Sequence, residues 1–172
     1  MEIIKISSLE DASELTLEKI ILQEEKTSPL HIALTGGRYG NHFLNSCLKK
    51  KVNISEWKIF LTDERLKSQE KDINANQLLI KLSNLKGFNK KNIHFFNSNS
   101  LNPDLSIKDV LREIDRIKNK RLNICLLSLG EDGHLAGHFP SSTLMKDNRF
   151  VFTAEAPSPN NFRVSFNISW LM

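Results

Sequence analysis

Short apolar runs alternate with longer amphipathic segments along almost the whole chain, and that rhythm most constrains the fold. Runs at Ile3–Ile6, Leu30–Leu34, Lys58–Leu61, Ile93–Phe96, Leu122–Leu129, Phe150–Ala154 and Arg163–Ile168 read as strands. The stretches Leu9–Glu25, Asn41–Lys50, Ile73–Leu85 and Ile107–Lys118 read as helices, the last opening on Ser106-Ile107-Lys108-Asp109 as a capping box. Strand and helix in alternation imply an α/β domain with a parallel sheet covered on both faces. Leu122–Leu129 is mostly apolar on both parities, as expected of a central strand buried on two sides. The last two strands have Pro157 and Pro159 between them and no room for a crossover helix. They are joined by a loop or form a local antiparallel pair. A length of 172 residues suits one domain, residues 1–172, with no internal repeat.

Several function classes lose their footing. No apolar run approaches the ~20 residues that span a bilayer, and the N-terminus lacks the pattern of a signal peptide, so no membrane association and a cytoplasmic location are expected. Cys47 and Cys125 each sit in apolar surroundings and have no metal-ligand spacing, which reads as small buried hydrophobes. The net charge of +4 is spread over Lys49-Lys50-Lys51, Lys90-Lys91 and Lys118 with Lys120-Arg121, without interleaved aromatic residues. A solvated surface explains it, and no nucleic-acid partner is expected.

Parallel sheets bind ligands beyond the carboxyl ends of their strands, and three unusual segments fall there. Thr35-Gly36-Gly37-Arg38-Tyr39-Gly40 precedes a helix whose first N–H groups offer an anion site, although neither G-x-G-x-x-G nor Gly-Lys-Ser/Thr is present. Such a turn is as readily structural. Asp63-Glu64-Arg65 could merely end a strand at the surface, or supply an arginine fork for phosphate with carboxylates that orient it. Gly130-Glu131-Asp132-Gly133-His134 places a histidine just past a strand, suited to general-base work, with Asp132 to orient it. The bland alternative is a turn whose histidine caps a helix. His31 and His94 lie in strands and read as structural, His42 sits beside the glycine turn, and only His134 and His138 have H-x-x-x-H spacing. Without the glutamate of H-E-x-x-H no metal is expected.

Together these segments resemble the 6-phosphogluconolactonase branch of the glucosamine-6-phosphate isomerase/6-phosphogluconolactonase superfamily. Thr35-Gly36-Gly37-Arg38 is similar to its Ser-Gly-Gly-Ser/Arg loop, WKIFLTDER at Trp57–Arg65 to its strand ending in Asp-Glu-Arg, and Asn74-Ala75-Asn76 to its Ser-Asn before a helix. Leu126–Pro140 resembles its Leu-Gly-x-Gly-x-Asp-Gly-His-Thr-Ala-Ser-Leu-Phe-Pro signature, and Phe162–Phe166 its Arg-Ile-Thr-Leu-Thr strand. The resemblance implies a mostly parallel, Rossmann-like sheet and hydrolysis of 6-phosphoglucono-δ-lactone without a cofactor. It implies His134 as general base with Asp132 as partner. Gly36, Gly37, Arg38, Asp63, Arg65, Gly133 and Arg163 would hold the substrate and its phosphate.

The chain also departs from that pattern. Gly137-His138 stand where the family carries Ser-Leu, which predicts a looser turn and a bulky polar group near the pocket. The loop before Arg163 lacks a lysine often found there, and Tyr39-Gly40 replace Thr-Pro. The sequence ends at Ser169-Trp170-Leu171-Met172 where the family continues through helix, strand and helix. That predicts an open sheet face, which a homo-oligomer or another partner could cover. Two other functions are weighed: a non-catalytic sugar-phosphate-binding homologue, and a glucosamine-6-phosphate deaminase. Against the deaminase, Phe139 occupies the place of its catalytic glutamate and Asp-Glu-Arg replaces Asp-Glu-Tyr.

Overall fold

The computed structural model describes residues 2–66, 72–98, 103–140, 151–155 and 162–171. Helix α1 (Leu9–Glu24) starts where the Ser8 hydroxyl accepts the Asp11 N–H at 3.1 Å, with Glu10 and Asp11 favourably placed in the first turn. Strand β1 (Leu30–Leu34) follows, then α2 (Gly37–Lys49), β2 (Trp57–Leu61), β3 (Asp63–Leu66) and α3 (Asn74–Leu82). The chain continues through β4 (Ile93–His94), α4 (Pro103–Ile114), β5 (Ile124–Cys125), β6 (Val151–Glu155), β7 (Phe162–Phe166) and the single turn α5 (Ile168–Leu171).

Two sheets result. Parallel strands in the order β4-β2-β1-β5 form the main one, with Ile32 opposite Ile59 and Ile124. Chain order moves outward from β1 through β2 to β4, then returns to β5 on the other side of β1. Right-handed crossovers therefore place α2 and α3 on one face and α4 on the other. The reversal makes a switch point between the carboxyl ends of β1 and β5, where ligands of such sheets bind. The second sheet is antiparallel, β3-β7-β6. Thr62 joins the two: its N–H donates to Leu34 O at 3.0 Å, and its carbonyl accepts the Phe166 N–H at 3.0 Å. The small sheet thus hangs from the end of β2, beside the switch point.

The core fills with Trp57, Phe43, Phe60 and Phe166, all fully buried among the aliphatic residues of β1, β2 and the inner helix faces. Each such side chain contributes about 1.5–3 kcal/mol of burial free energy. Cys47 lies fully buried in this core, and burial pushes its thiol and that of the half-buried Cys125 up to about 12. Among the described residues no helix is long and apolar enough to cross a membrane.

Several expectations need correction. Ile3–Ile6 forms no strand: no described strand pairs with it, and Ile3 is 82% exposed. Apolar alternation without a ladder partner does not hold a strand. Leu122–Leu129 is no central strand; only Ile124–Cys125 belong to the ladder, at the edge of the four described strands and half-buried. Its polar residues end the pairing. Asn123 Oδ1 accepts the His31 N–H at 2.8 Å, and the Ser128 hydroxyl meets Thr35 Oγ1 at 3.1 Å. The outer edge faces a groove of about 280 Å³ lined by Thr16, Ile20, Ile124 and Leu126.

Ser106 caps nothing; it is buried inside α4, whose first residue is Pro103, a position proline suits. α4 ends at Ile114, and Asn119 and Lys120 beyond it are left-handed at φ 62° and 50°. Asp63-Glu64-Arg65 does not merely end β2 at the surface but makes up most of a separate strand, β3, paired with β7. The last two strands are an antiparallel pair. Phe150 and the segment 156–161, where the absent lysine was noted, lie outside the described residues.

Candidate active site

A polar pocket of about 100 Å³ opens at the switch point. The turn after β1 supplies Thr35, Gly36 and Gly37; β3 supplies Asp63 and Arg65, and β7 supplies Arg163. Asn74 comes from the start of α3, and Ser128, His134 and Ala136 from the segment after β5. Four stretches far apart in sequence therefore meet around one cavity.

The glycine turn enters α2 at once. Gly36 is the extended N-cap and Gly37, at φ 65°, is the first helical residue, so α2 begins four residues earlier than Asn41. No side chain caps this helix, which leaves its leading N–H groups directed at the pocket mouth.

The segment after β5 closes on itself. Gly130 N–H donates to His134 O at 2.8 Å and Gly133 N–H to Gly130 O at 3.0 Å. A Cβ on Gly130 would lie 2.3 Å from His134 Nδ1, so the imidazole folds over the bare Gly130 backbone and any side chain there would have to displace it. Asp132 Oδ1 accepts the His134 N–H at 3.2 Å and is hydrogen-bonded to His134 Nδ1. That bond holds the Asp132 carboxyl below its ordinary range. In the neutral ring, an Nδ1–H committed to the carboxylate leaves the lone pair on Nε2. The ring packs against Phe139, centroids 5.3 Å apart.

On the opposite wall, strand alternation turns Asp63 and Arg65 to the pocket and Glu64 away. Arg65 stands directly across the ladder from Arg163. Like charges so placed repel. Burial, followed by Arg65, lowers the Arg163 guanidinium from its ordinary value, and one of its nitrogens, Nη1, is buried without a hydrogen-bond partner among the described residues. Burial raises the Asp63 carboxyl against the pull of Arg163. Two arginines, one with an unmet donor, and a single carboxylate make a site suited to an oxyanion.

Gly36, Gly37, Asp63, Arg65, His134 and Arg163 thus gather in one pocket, with Asp132 on its histidine. Arg38 and Gly133 do not line it. The Arg38 side chain is 81% exposed and pairs with Glu131 at 3.1 Å, tying the glycine turn to the histidine turn from outside. Gly133, at φ 82°, shapes the turn.

Gly137 and His138 tighten the loop rather than loosen it. Gly137 N–H donates to Ser165 Oγ at 3.0 Å, and His138 Nε2 donates to Phe166 O at 3.2 Å. Burial lowers the His138 imidazole from its ordinary value, and the ring is anchored in β7 rather than exposed to the pocket. Sequence reasoning gave no site role to Thr35, Asn74, Ser128 or Ala136. Thr35 opens the glycine turn and Ser128 lies two residues before Gly130, so both were legible from their places beside the two turns. Asn74 carried only the resemblance of Asn74-Ala75-Asn76 to the family's Ser-Asn as a signal; its place in the pocket comes from contacts across the chain.

A family model for glucosamine-6-phosphate isomerases/6-phosphogluconolactonase matches residues 6–172. 6-Phosphogluconolactonase 3 of Saccharomyces cerevisiae is 25% identical over 158 residues, covering 84% of this chain and 63% of its own. The 6-phosphogluconolactonase of Thermotoga maritima is 29% identical over 153 residues, covering 87% and 66%. The chain thus spans less than two thirds of the length of these relatives. Among solved structures, the Thermotoga maritima 6-phosphogluconolactonase superposes with a TM-score of 0.82 at 21% identity, over 98% of this chain and 77% of that one. A monomeric glucosamine-6-phosphate deaminase gives 0.78 at 13%, over 99% and 78%. At those identities the structures establish a shared fold. With the family model spanning nearly the whole sequence, the chain belongs to the glucosamine-6-phosphate isomerase/6-phosphogluconolactonase family.

Proposed function

We propose that this chain hydrolyses 6-phosphoglucono-δ-lactone to 6-phosphogluconate. The observation that carries the reading is one pocket holding both a carboxylate-oriented histidine and a pair of opposed arginines. The arginines and the uncapped start of α2 bind the phosphate, while Asp63 takes sugar hydroxyls. His134 Nε2 removes a proton from water, and the resulting hydroxide attacks the lactone carbonyl carbon. The tetrahedral intermediate collapses with cleavage of the bond to the ring oxygen, which takes the proton back from the imidazolium. Asp132 stabilises that imidazolium. The balance closes with lactone and water consumed and the open acid formed, and no cofactor enters.

The names of the yeast and Thermotoga relatives support the same reaction. Deamination is disfavoured because Phe139, buried against His134, stands where that chemistry needs a carboxylate. A coupled assay of lactone hydrolysis, corrected for the spontaneous reaction, tests the proposal on wild type and His134→Ala. Wild type should exceed the buffer rate and the variant should fall about 10²–10⁴-fold towards it. Equal rates in both, no faster than buffer, would leave only a sugar-phosphate-binding protein.

A further inference from the structure

We infer that Glu64 is a positioning residue whose buried carboxylate clamps the start of α3 onto β3 and so holds Asn74 and Arg65 in the anion pocket, an inference that rests on the sugar-phosphate reading above. Glu64 touches no ligand space. It points to the face of β3 opposite Asp63 and Arg65 and is completely inaccessible. Its Oε1 accepts the Arg65 N–H at 2.6 Å and the Asn74 N–H at 2.9 Å, and its Oε2 accepts the Ala75 N–H at 2.7 Å.

Two of those N–H groups open α3, whose own N-cap, Ile73, has no side chain able to cap. A carboxylate from the neighbouring strand therefore replaces the missing cap, at the helix end where negative charge is favourable. Burial still raises Glu64 to about 7, with the three N–H bonds opposing. A methionine or leucine would fill such a place without that cost if only packing were required.

What the clamp secures is visible at Asn74. Its side-chain amide sits against Gly36, where a Cβ would come within 2.1 Å of Asn74 Cγ, and its Nδ2 donates to Asp63 O at 3.4 Å. Asn74 therefore bridges the glycine turn and β3, the two walls that face the anion. The third N–H held by Glu64 belongs to Arg65 and fixes the backbone that carries the guanidinium. One carboxylate sets the spacing between both walls.

Steady-state kinetics and calorimetry with 6-phosphogluconate, on Glu64→Gln, Asn74→Ala and the double variant, test this. Glu64→Gln keeps the Oε1 acceptor but turns an NH₂ towards the Ala75 N–H. KM and the 6-phosphogluconate Kd should each rise about tenfold with kcat within about threefold, because anion contacts act on ground and transition states alike. Acting through Asn74, the Glu64→Gln change should add less than about twofold once Asn74 is already alanine. A cap with no positioning role would lower Tm while leaving KM and Kd unmoved, and that result, or full additivity in the double variant, overturns the inference. A wild type that binds 6-phosphogluconate but does not hydrolyse the lactone defeats only the catalytic reading, and Kd alone then decides for Glu64. A wild type that binds neither overturns both.

Discussion

Replacing Gly137 by alanine should both destabilise the protein and impair the site. A Cβ there would lie 2.5 Å from Ser165 Cβ, 3.1 Å from Ser165 Oγ and 3.5 Å from Arg163 Cβ. Carbon atoms settle at about 3.5–4.0 Å, so the loop or β7 must give by about 1 Å. β7 has little freedom to do so, since Val164, Ser165 and Phe166 are all fully buried. Overpacking of this kind costs about 1–3 kcal/mol, and stretching the Gly137–Ser165 hydrogen bond adds about 0.5–1.5 kcal/mol. The sum is about 2–4 kcal/mol, or a fall in Tm of about 5–15 °C for a chain of this length. Urea denaturation should show the lower midpoint with an unchanged slope. If the loop yields rather than β7, His134 moves with it, and displacements near 1 Å cost about 10²-fold in kcat/KM. In a Ser165→Gly background the Gly137→Ala cost should shrink to under about 1 kcal/mol, since the opposing carbon is gone. A Gly137→Ala protein within about 0.5 kcal/mol of wild type would refute the view that this loop is locked to β7.

Asp132→Asn should fold normally, being exposed, yet lower kcat about 10²–10⁴-fold by removing the charge that fixes the His134 tautomer; unchanged kcat would remove Asp132 from the mechanism. Arg65→Ala should weaken 6-phosphogluconate binding far more than gluconate binding by calorimetry, whereas equal losses would deny it the phosphate. Stability should vary with pH in two opposed ways. Burial depresses His31, His94 and His138, so the unfolded chain takes up protons first; their contribution is present above about 6.5 and is lost as pH falls through their lower folded values. Glu64 is raised to about 7, so its contribution is present below the ordinary glutamate range and is lost as pH rises through about 7. Urea midpoints measured from pH 5 to 8 should therefore pass through a maximum. His94→Gln, which takes the ring away from Glu113 and Lys58, should flatten the acid limb, and an unaltered limb would show that His94 does not set it.

The parts of this fold that the sequence displays are those whose pattern and partner are both regular. Apart from His31 and Lys58, which are only half-buried, β1 and β2 are apolar because sheet and helices cover both faces, and their limits match the expected ones to within a residue. Two of the failures share one cause. Ile3–Ile6 has the composition of a strand and no neighbour to pair with, while Asp63-Glu64-Arg65 has the composition of a surface turn and a neighbour in β7. Whether a short segment becomes a strand is decided by what lies across from it, and for β3 that is about a hundred residues away.

The same distinction divides the site. His134 and Asp132 are two residues apart, so their contact is a property of the turn and can be read locally. Arg65 opposite Arg163, and Gly137 under Ser165, depend on how β7 returns beside β3, and neither stretch announces the other. Gly137 illustrates the point. Beside family members with serine there, a glycine followed by histidine reads as slack in the loop; with β7 in place it is the residue that permits contact, and the histidine supplies a second tie. Glu64 goes further, since its neighbours on either side face the pocket while it faces α3. Once β3 is known to be a strand, alternation sends the three residues to opposite faces: Asp63 and Arg65 to the pocket, Glu64 to the start of α3.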